Sequence, residues 1–244
     1  IRKNKETLEK YFEGKIYAGL KTGADKFYVI DDKTKKELIE KDKKNISIIK
    51  PWLRGKDLKK WAVKWHKLWF LNVHNGCKNI KPVALKDDYP VIYDFLLPFK
   101  KELQKRSDQG ITCFNHRACA YMDIFDKPKI IYPDCALEMR AVYDDKCFYG
   151  TMAMYFLPYD PLILAILNSQ LFDWYARMTF ASFGDPWNRG RIIFKSIYMR
   201  NVPIPKRNNI ADNIISLVNK ILSISNNADY LDNQDKQSKV KKLE

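Results

Sequence analysis

Several sets of residues have the types and spacing to carry chemistry, and each points to a different reaction. Cys113, His116 and Cys119 recur at three-residue steps, with Cys135 further along, and thiolates and imidazole are zinc ligands. The set lacks the paired C-x2–4-C knuckles of structural zinc sites, and a free cysteine is commonly a small buried hydrophobe, so no metal centre is expected. Asp134 and Glu138 are carboxylates that could hold Mg²⁺ for phosphodiester hydrolysis. Four residues apart in one segment, they cannot easily meet across neighbouring strands, and Arg140 stands where such a set wants a lysine. Methyl transfer to a base amine needs a Gly-rich loop and an Asn/Asp-Pro-Pro-aromatic segment. Asp185-Pro186-Trp187 has only one proline, and the 9 glycines never cluster as G-x-G. Neither a G-x-S-x-G elbow nor a G-x-x-x-x-G-K phosphate loop is present. No catalytic residue is therefore assigned to this chain.

Nucleic-acid binding survives this elimination, because cations interleave with aromatics and amides in loop-like segments. These are Lys50-Pro51-Trp52-Leu53-Arg54-Gly55-Lys56, His116-Arg117, and Trp187-Asn188-Arg189-Gly190-Arg191. Lys and Arg bind phosphates, Arg and Asn read purine edges in the major groove, and aromatics pack on sugars or stack. The competing reading places Trp52, Trp61, Trp65 and Trp69 in the core and the lysines on a solvated face.

Composition narrows the partner. The 244 residues carry 44 Lys and Arg against 29 Asp and Glu, a net charge of +15 that suits a polyanion. Hydrophobic residues at 46% and aromatics at 14% exclude a disordered chain. The longest apolar stretch, Leu162 to Leu167, is far short of the roughly 18–20 residues that cross a bilayer, so no membrane is expected. Five cysteines without CxxC spacing fit a reducing compartment, with the cytoplasm as the expected location. The chain begins at Ile1 and ends on Leu243-Glu244, as a cloning junction would leave, so a fragment of a longer protein is expected.

Short β-branched and aromatic runs at Lys26–Ile30, Ile46–Lys50, Leu68–Val73, Lys129–Tyr132 and Cys147–Phe156 read as strands. Turn chemistry at Tyr143-Asp144-Asp145-Lys146 predicts a hairpin between Ala141-Val142 and Cys147-Phe148. Helical spacing runs from Pro90 to Arg106, split at Pro98, and from an Asp160-Pro161 start through Met178, the latter buried. A third helix from about Asn209 carries Ile210, Ile214, Leu217, Val218, Ile221 and Leu222 on one side and needs a partner. The Lys-rich stretches Asp31–Lys44 and Lys236–Lys242 are expected to be solvated. Scattered strands and separate helices imply an α+β fold with mixed, mostly antiparallel sheets.

The order of segments then resembles a known family. Gly19-Leu20-Lys21-Thr22-Gly23-Ala24-Asp25-Lys26-Phe27-Tyr28-Val29-Ile30-Asp31 is followed by Ile49-Lys50-Pro51-Trp52-Leu53-Arg54-Gly55-Lys56-Asp57. Tyr89-Pro90-Val91-Ile92-Tyr93, Lys101-Glu102-Leu103, Lys105-Arg106, Lys127-Pro128-Lys129-Ile130-Ile131-Tyr132-Pro133, Leu164-Ala165-Ile166-Leu167-Asn168-Ser169 and Asn201-Val202-Pro203-Ile204-Pro205 come in order behind them. Together they resemble the TaqI-like C-terminal specificity domain. Between Asp108 and Tyr121 the sequence departs from relatives, with only Arg117 aligning, as suits a segment near the bases.

The resemblance implies a target-recognition domain of an adenine-specific DNA methyltransferase, in a type IIG restriction-modification enzyme or a phage-defence methylase. The parent's catalytic domain would lie upstream, use S-adenosylmethionine and, if it also cuts, Mg²⁺; this chain would hold no cofactor and bind double-stranded DNA. Residues 1–205 would form the recognition domain and 206–244 a spacer-like amphipathic helix with a polar tail, docking on another domain or chain. Residue type and loop position select Lys21, Thr22 and Lys26 for phosphates, Arg54, Lys56, Arg189 and Arg191 for backbone or bases, and Arg117 and Asn188 for base edges. Two other readings compete: a Mg²⁺-dependent nuclease built on Asp134 and Glu138, and an RNA-binding module.

Overall fold

The computed structural model describes residues 6–78 and 80–244. The chain opens with β1 (Glu6–Thr7), α1 (Leu8–Tyr11) and β2 (Tyr17–Ala18), then α2 (Asp25–Tyr28), β3 (Val29–Ile30), α3 (Asp32–Lys41) and β4 (Ile49–Leu53). Strands β5 (Leu58–Lys59), β6 (Ala62–Val63) and β7 (Leu68–Leu71) precede helices α4 (Leu85–Asp88), α5 (Pro90–Leu96) and α6 (Lys100–Leu103). Next come β8 (Lys129–Pro133), β9 (Cys135–Ala136), β10 (Val142–Asp144), β11 (Tyr149–Gly150) and β12 (Met154–Pro158). The last third holds α7 (Pro161–Asn168), α8 (Gln170–Thr179), β13 (Ser182–Phe183), β14 (Arg191–Ile193), α9 (Ser196–Met199), β15 (Pro203–Ile204), α10 (Asn209–Ser225) and α11 (Gln234–Leu243).

The fold is α+β, and its pivot is the antiparallel sheet β10-β8-β12-β2. Because successive strand residues face opposite sides, β8 and β12 feed two cores. Ile130, Tyr132 and Leu157 point into one, shared with α7, α8 and α10; Ile131, Met154 and Phe156 point into the other, with Trp52, Phe70 and Ile92. The second core is backed by the sheet β11-β4-β7-β3, parallel only at β11-β4, and a third sheet, β13-β14-β9, continues from the end of β8.

Local chemistry explains where strand patterns fail. Lys26–Ile30 is not a strand: Asp25 bonds the Thr22 hydroxyl and folds Asp25–Tyr28 into a helical turn, leaving only Val29 and Ile30 to pair with β7. Asp42 accepts from the Lys44 amide and caps a 3-10 turn over Lys43–Ile48, so β4 begins at Ile49. The hairpin at Asp144 does not form either. The Asp144 carboxylate accepts from the amides of Lys146 and Phe148, Cys147 takes φ +57°, and the chain leaves the central sheet to run as β11 beside β4. It returns as β12, so Cys147–Phe156 is two strands in two sheets.

The helix starts hold better than their continuity. Asp160 caps α7 with Pro161 at the first position, but Ser169 adopts extended backbone and accepts the Phe172 amide, which starts α8 separately. Only α7 is buried, while α8 exposes Leu171, Trp174 and Met178. Helix α10, capped by Asn208, packs on α7 of its own chain through Val218, Ile221 and Leu222. Lys236–Lys242 lies within α11, whose Val240 is buried in the same core.

One ionic contact pins the pivot. Lys129 and Asp144, register partners across β8 and β10, form a salt bridge of 2.6 Å with both side chains fully buried. Lys129 also donates to Phe125 O at 2.7 Å, and the carboxylate takes the two amides named above. Removing one partner leaves an uncompensated buried charge, which costs about 3–5 kcal/mol, whereas an apolar pair of similar size is near neutral. Asp144→Ala is therefore expected to lower urea stability by about that amount, and Lys129→Met/Asp144→Leu by about 2 kcal/mol or less.

Candidate nucleic-acid interface

The basic loops of the sequence are joined backbone to backbone. Gly19 and Leu20 donate to Met154 O and Gly150 O at 2.9 and 2.8 Å, which lays the Lys21 segment along the turn Thr151–Ala153. A side chain at Gly19 would strike the Thr151 carbonyl, so only glycine permits this approach. Gly55 lies against Ala153 on the other side of the turn. The Asp134 amide donates to Ala153 O at 2.9 Å, and Asp134 O accepts the Phe194 amide at 2.7 Å. Arg191 reaches Cys135 O at 3.1 Å. Lys21, Arg54, Lys56, Arg191 and Lys195 are thus strung along one run of contacting loops.

At one end, buried Arg106 fixes the loops. It donates to Thr22 O at 2.6 Å, Cys113 O at 2.7 Å and Asn115 O at 2.9 Å, with its guanidinium 5.0 Å from the Tyr28 ring. Around that knot Asp108, its side chain 8% exposed, receives Lys21 at 3.1 Å and Arg117 at 3.5 Å. Asn115 adds bonds to His74 O and Val83 O.

Next along, Asp57 is fully buried and takes the Arg54 amide at 2.9 Å, the Arg54 guanidinium at 3.3 Å and His66 Nδ1 at 3.2 Å. Arg54 is consequently held at both its amide and its guanidinium, with about a third of its side chain accessible, and Lys56 is exposed two residues past it. At the far end Asp134 faces Lys195 and Arg191, while partial burial pushes its carboxyl up. The hairpin of β13 and β14 carries exposed Asn188, Arg189 and Arg191.

Two of the selected residues fall outside this surface. Thr22 is buried and its hydroxyl donates to Asp25, so it shapes the loop and cannot meet a phosphate. Lys26 is exposed but lies over the Phe27 ring, 4.7 Å from its centre, outside the run of contacts. Sequence reasoning missed Lys195, although the alternation of exposed Arg191 and Lys195 with buried Ile192 and Phe194 is a strand signal. It also missed Asp108 and Arg177, whose partners are distant in the chain.

The zinc and nuclease sets are accounted for otherwise. His116 is buried between Phe70 and Tyr28, donates from Nε2 to Leu71 O at 2.8 Å, and burial pushes its pKa down to about 3, so it is a neutral core residue. Among the described residues no three His, Cys, Asp or Glu side chains are grouped to hold a metal ion. Asp134 faces Lys195 and Arg191, whereas Glu138 lines a cleft with Lys60, Asn168 and Asp173.

With this geometry in place, comparison is decisive at the family level. The model of the TaqI-like C-terminal specificity domain matches residues 50–204. The chain belongs to that family. The specificity domain is 23% identical over 215 residues to the type II methyltransferase M.XhoI of Xanthomonas vasicola, across 86% of this chain and 38% of that protein. Its fold is similar to that of the type IIL restriction-modification enzyme MmeI, solved in complex with DNA, with a TM-score of 0.66 at 15% identity over 87% of this chain and 28% of that one. The type IIG restriction endonuclease BpuSI matches at a TM-score of 0.45 and 13% identity over 93% of this chain and 29% of its own. The specificity domain thus spans well under half the length of these relatives, and the likeness to MmeI is one of fold.

Arg106 supplies the test of how the surface is held. Arg106→Ala leaves the carbonyls of Thr22 and Cys113 without their donor and the Asn115 carbonyl with the Gly110 amide alone, which should cost about 3 kcal/mol in urea unfolding. Limited proteolysis should then cut first between residues 107 and 118, where wild type resists.

Proposed function

We propose that this chain reads a sequence of duplex DNA for an adenine-N6 methyltransferase of a restriction-modification or phage-defence system. The catalytic domain would lie upstream in the parent chain. The observation that carries the reading is the run of loops presenting Lys21, Arg117, Arg54, Lys56, Arg191 and Lys195 on a chain of net charge +15. Asp108 and Asp57 hold the charged ends of Lys21, Arg117 and Arg54 near fixed positions, which is what phosphate contacts need in order to set register. Arg117, Asn188 and Arg189 sit on exposed loops and Arg191 at the exposed start of β14, and all four side chains have donors for purine edges.

Membership of a specificity-domain family, relatives that are methyltransferases and restriction-modification enzymes, and a neighbour of the same fold solved on DNA all support this assignment. S-adenosylmethionine, and Mg²⁺ if the parent cleaves, would be bound by the catalytic part. This chain supplies the address: it holds the duplex while the upstream domain turns the target adenine out of the stack.

Binding to a pool of randomised duplexes across a salt series, with sequencing of the retained fraction, tests the reading. Neutralising about five to eight phosphates gives a log–log slope of roughly −4.5 to −7, with an enriched motif. Salt-independent binding, or retention of single strands over duplex, contradicts it.

A further inference from the structure

The hairpin of β13 and β14 ends in a seven-residue loop, 184–190, and exposes two aromatic rings, Phe183 at the end of β13 at 67% and Trp187 within the loop at 59%. Large rings left in water at the end of a hairpin are unusual, since each represents roughly 150–250 Å² of surface that folding elsewhere removes. The loop holding them is built rigidly. Asp185 accepts the Trp187 amide on its carboxylate at 2.9 Å, and its carbonyl takes the amides of Asn188 and Gly190 at 3.0 and 2.6 Å. Gly184 and Arg189 take φ of +77° and +60°, and a side chain at Gly190 would collide with the Asp185 carbonyl.

The loop is also braced from outside. Arg177 of α8, paired with Asp173 at 2.7 Å, donates to Pro186 O and to Leu137 O and sets its guanidinium 5.7 Å from the Trp187 ring centre. One flank of the indole therefore has a cationic backing. Arg189 of the same loop and Arg191 at the start of β14 are exposed. An exposed ring with a guanidinium on one flank, in a hairpin that carries further cations, suits a partner that is both polyanionic and rich in flat π-faces, which is nucleic acid.

We infer that this hairpin is a wedge: Trp187, with Phe183 beside it, stacks on a base at a step of the duplex that the protein opens, while Arg189 and Arg191 hold the flanking phosphates. The inference rests on the DNA-reading function above and adds a deformation to it. Inserted apolar side chains unstack base steps at a cost of a few kcal/mol, which stacking and extra contacts repay. A duplex already disrupted should avoid that cost and bind more tightly.

The experiment compares, by fluorescence anisotropy at low salt, a perfect duplex of random sequence with the same duplex carrying one central mismatch. The full chain is used as wild type, Trp187→Ala and Phe183→Ala. Wild type is expected to prefer the mismatched duplex by roughly 5- to 100-fold, the range that stacking of one base supplies. Trp187→Ala should lose most of that preference and Phe183→Ala part of it. Because both rings are exposed, melting temperatures should match wild type, and a variant that melts early is replaced by Trp187→Gln. Equal affinity of wild type for both duplexes, or a preference that survives loss of Trp187, overturns the wedge while leaving DNA binding intact. Failure of wild type to bind either duplex overturns the DNA-reading function and the wedge with it.

Discussion

The buried guanidinium of Arg106 is the contact on which the recognition surface depends. Its three short bonds to Thr22 O, Cys113 O and Asn115 O bring together two loops that are more than 80 residues apart in the chain. A planar fork of donors suits this task, because it satisfies several carbonyls at fixed angles at once, which a lysine ammonium on a flexible stem does not. Everything at that end of the surface follows from it. Lys21 sits next to a carbonyl that Arg106 holds, Arg117 lies two residues past another, and Asp108 is kept between them as their common counter-ion.

Beneath the loops the two-sided sheet provides the rigidity. The buried Lys129–Asp144 pair fixes the register of β8 and β10, and the alternation along β8 and β12 commits each neighbouring residue to one core or the other. A register slip by one residue would exchange the two cores, so the sheet has little freedom to drift. From the end of β8 the chain passes straight into Asp134 and β9, whose backbone bonds to β14 place the β13–β14 hairpin relative to the pivot.

Much of the fold was legible where local chemistry decides it. Asp160-Pro161 marks the start of α7, the apolar spacing from Asn209 marks α10, Pro98 splits the helical stretch after Pro90, and the β-branched runs mark β7 and β8. What sequence could not show is decided by partners far away. The pairing of β11 with β4 depends on contacts across about a hundred residues, and only the bonds of Asp144 to Lys146 and Phe148 turn the chain towards it. The site divides the same way. Basic loops were recognisable by residue type, whereas the burial of Thr22, the anchoring of Arg54 on Asp57 and the bracing of the hairpin by Arg177 are tertiary facts. The family resemblance was legible because it rests on the order of short segments, and it extends over residues 50–204.

If the cations of these separate loops face DNA as one surface, lysine-acetylation footprinting read by mass spectrometry will show them shielded as a set. With saturating duplex, Lys21, Lys56 and Lys195 should be protected together, while the exposed Lys33 and Lys36 of α3 and Lys242 of α11 react as in the free protein. Protection centred on α3, or spread evenly over all lysines, would contradict the account.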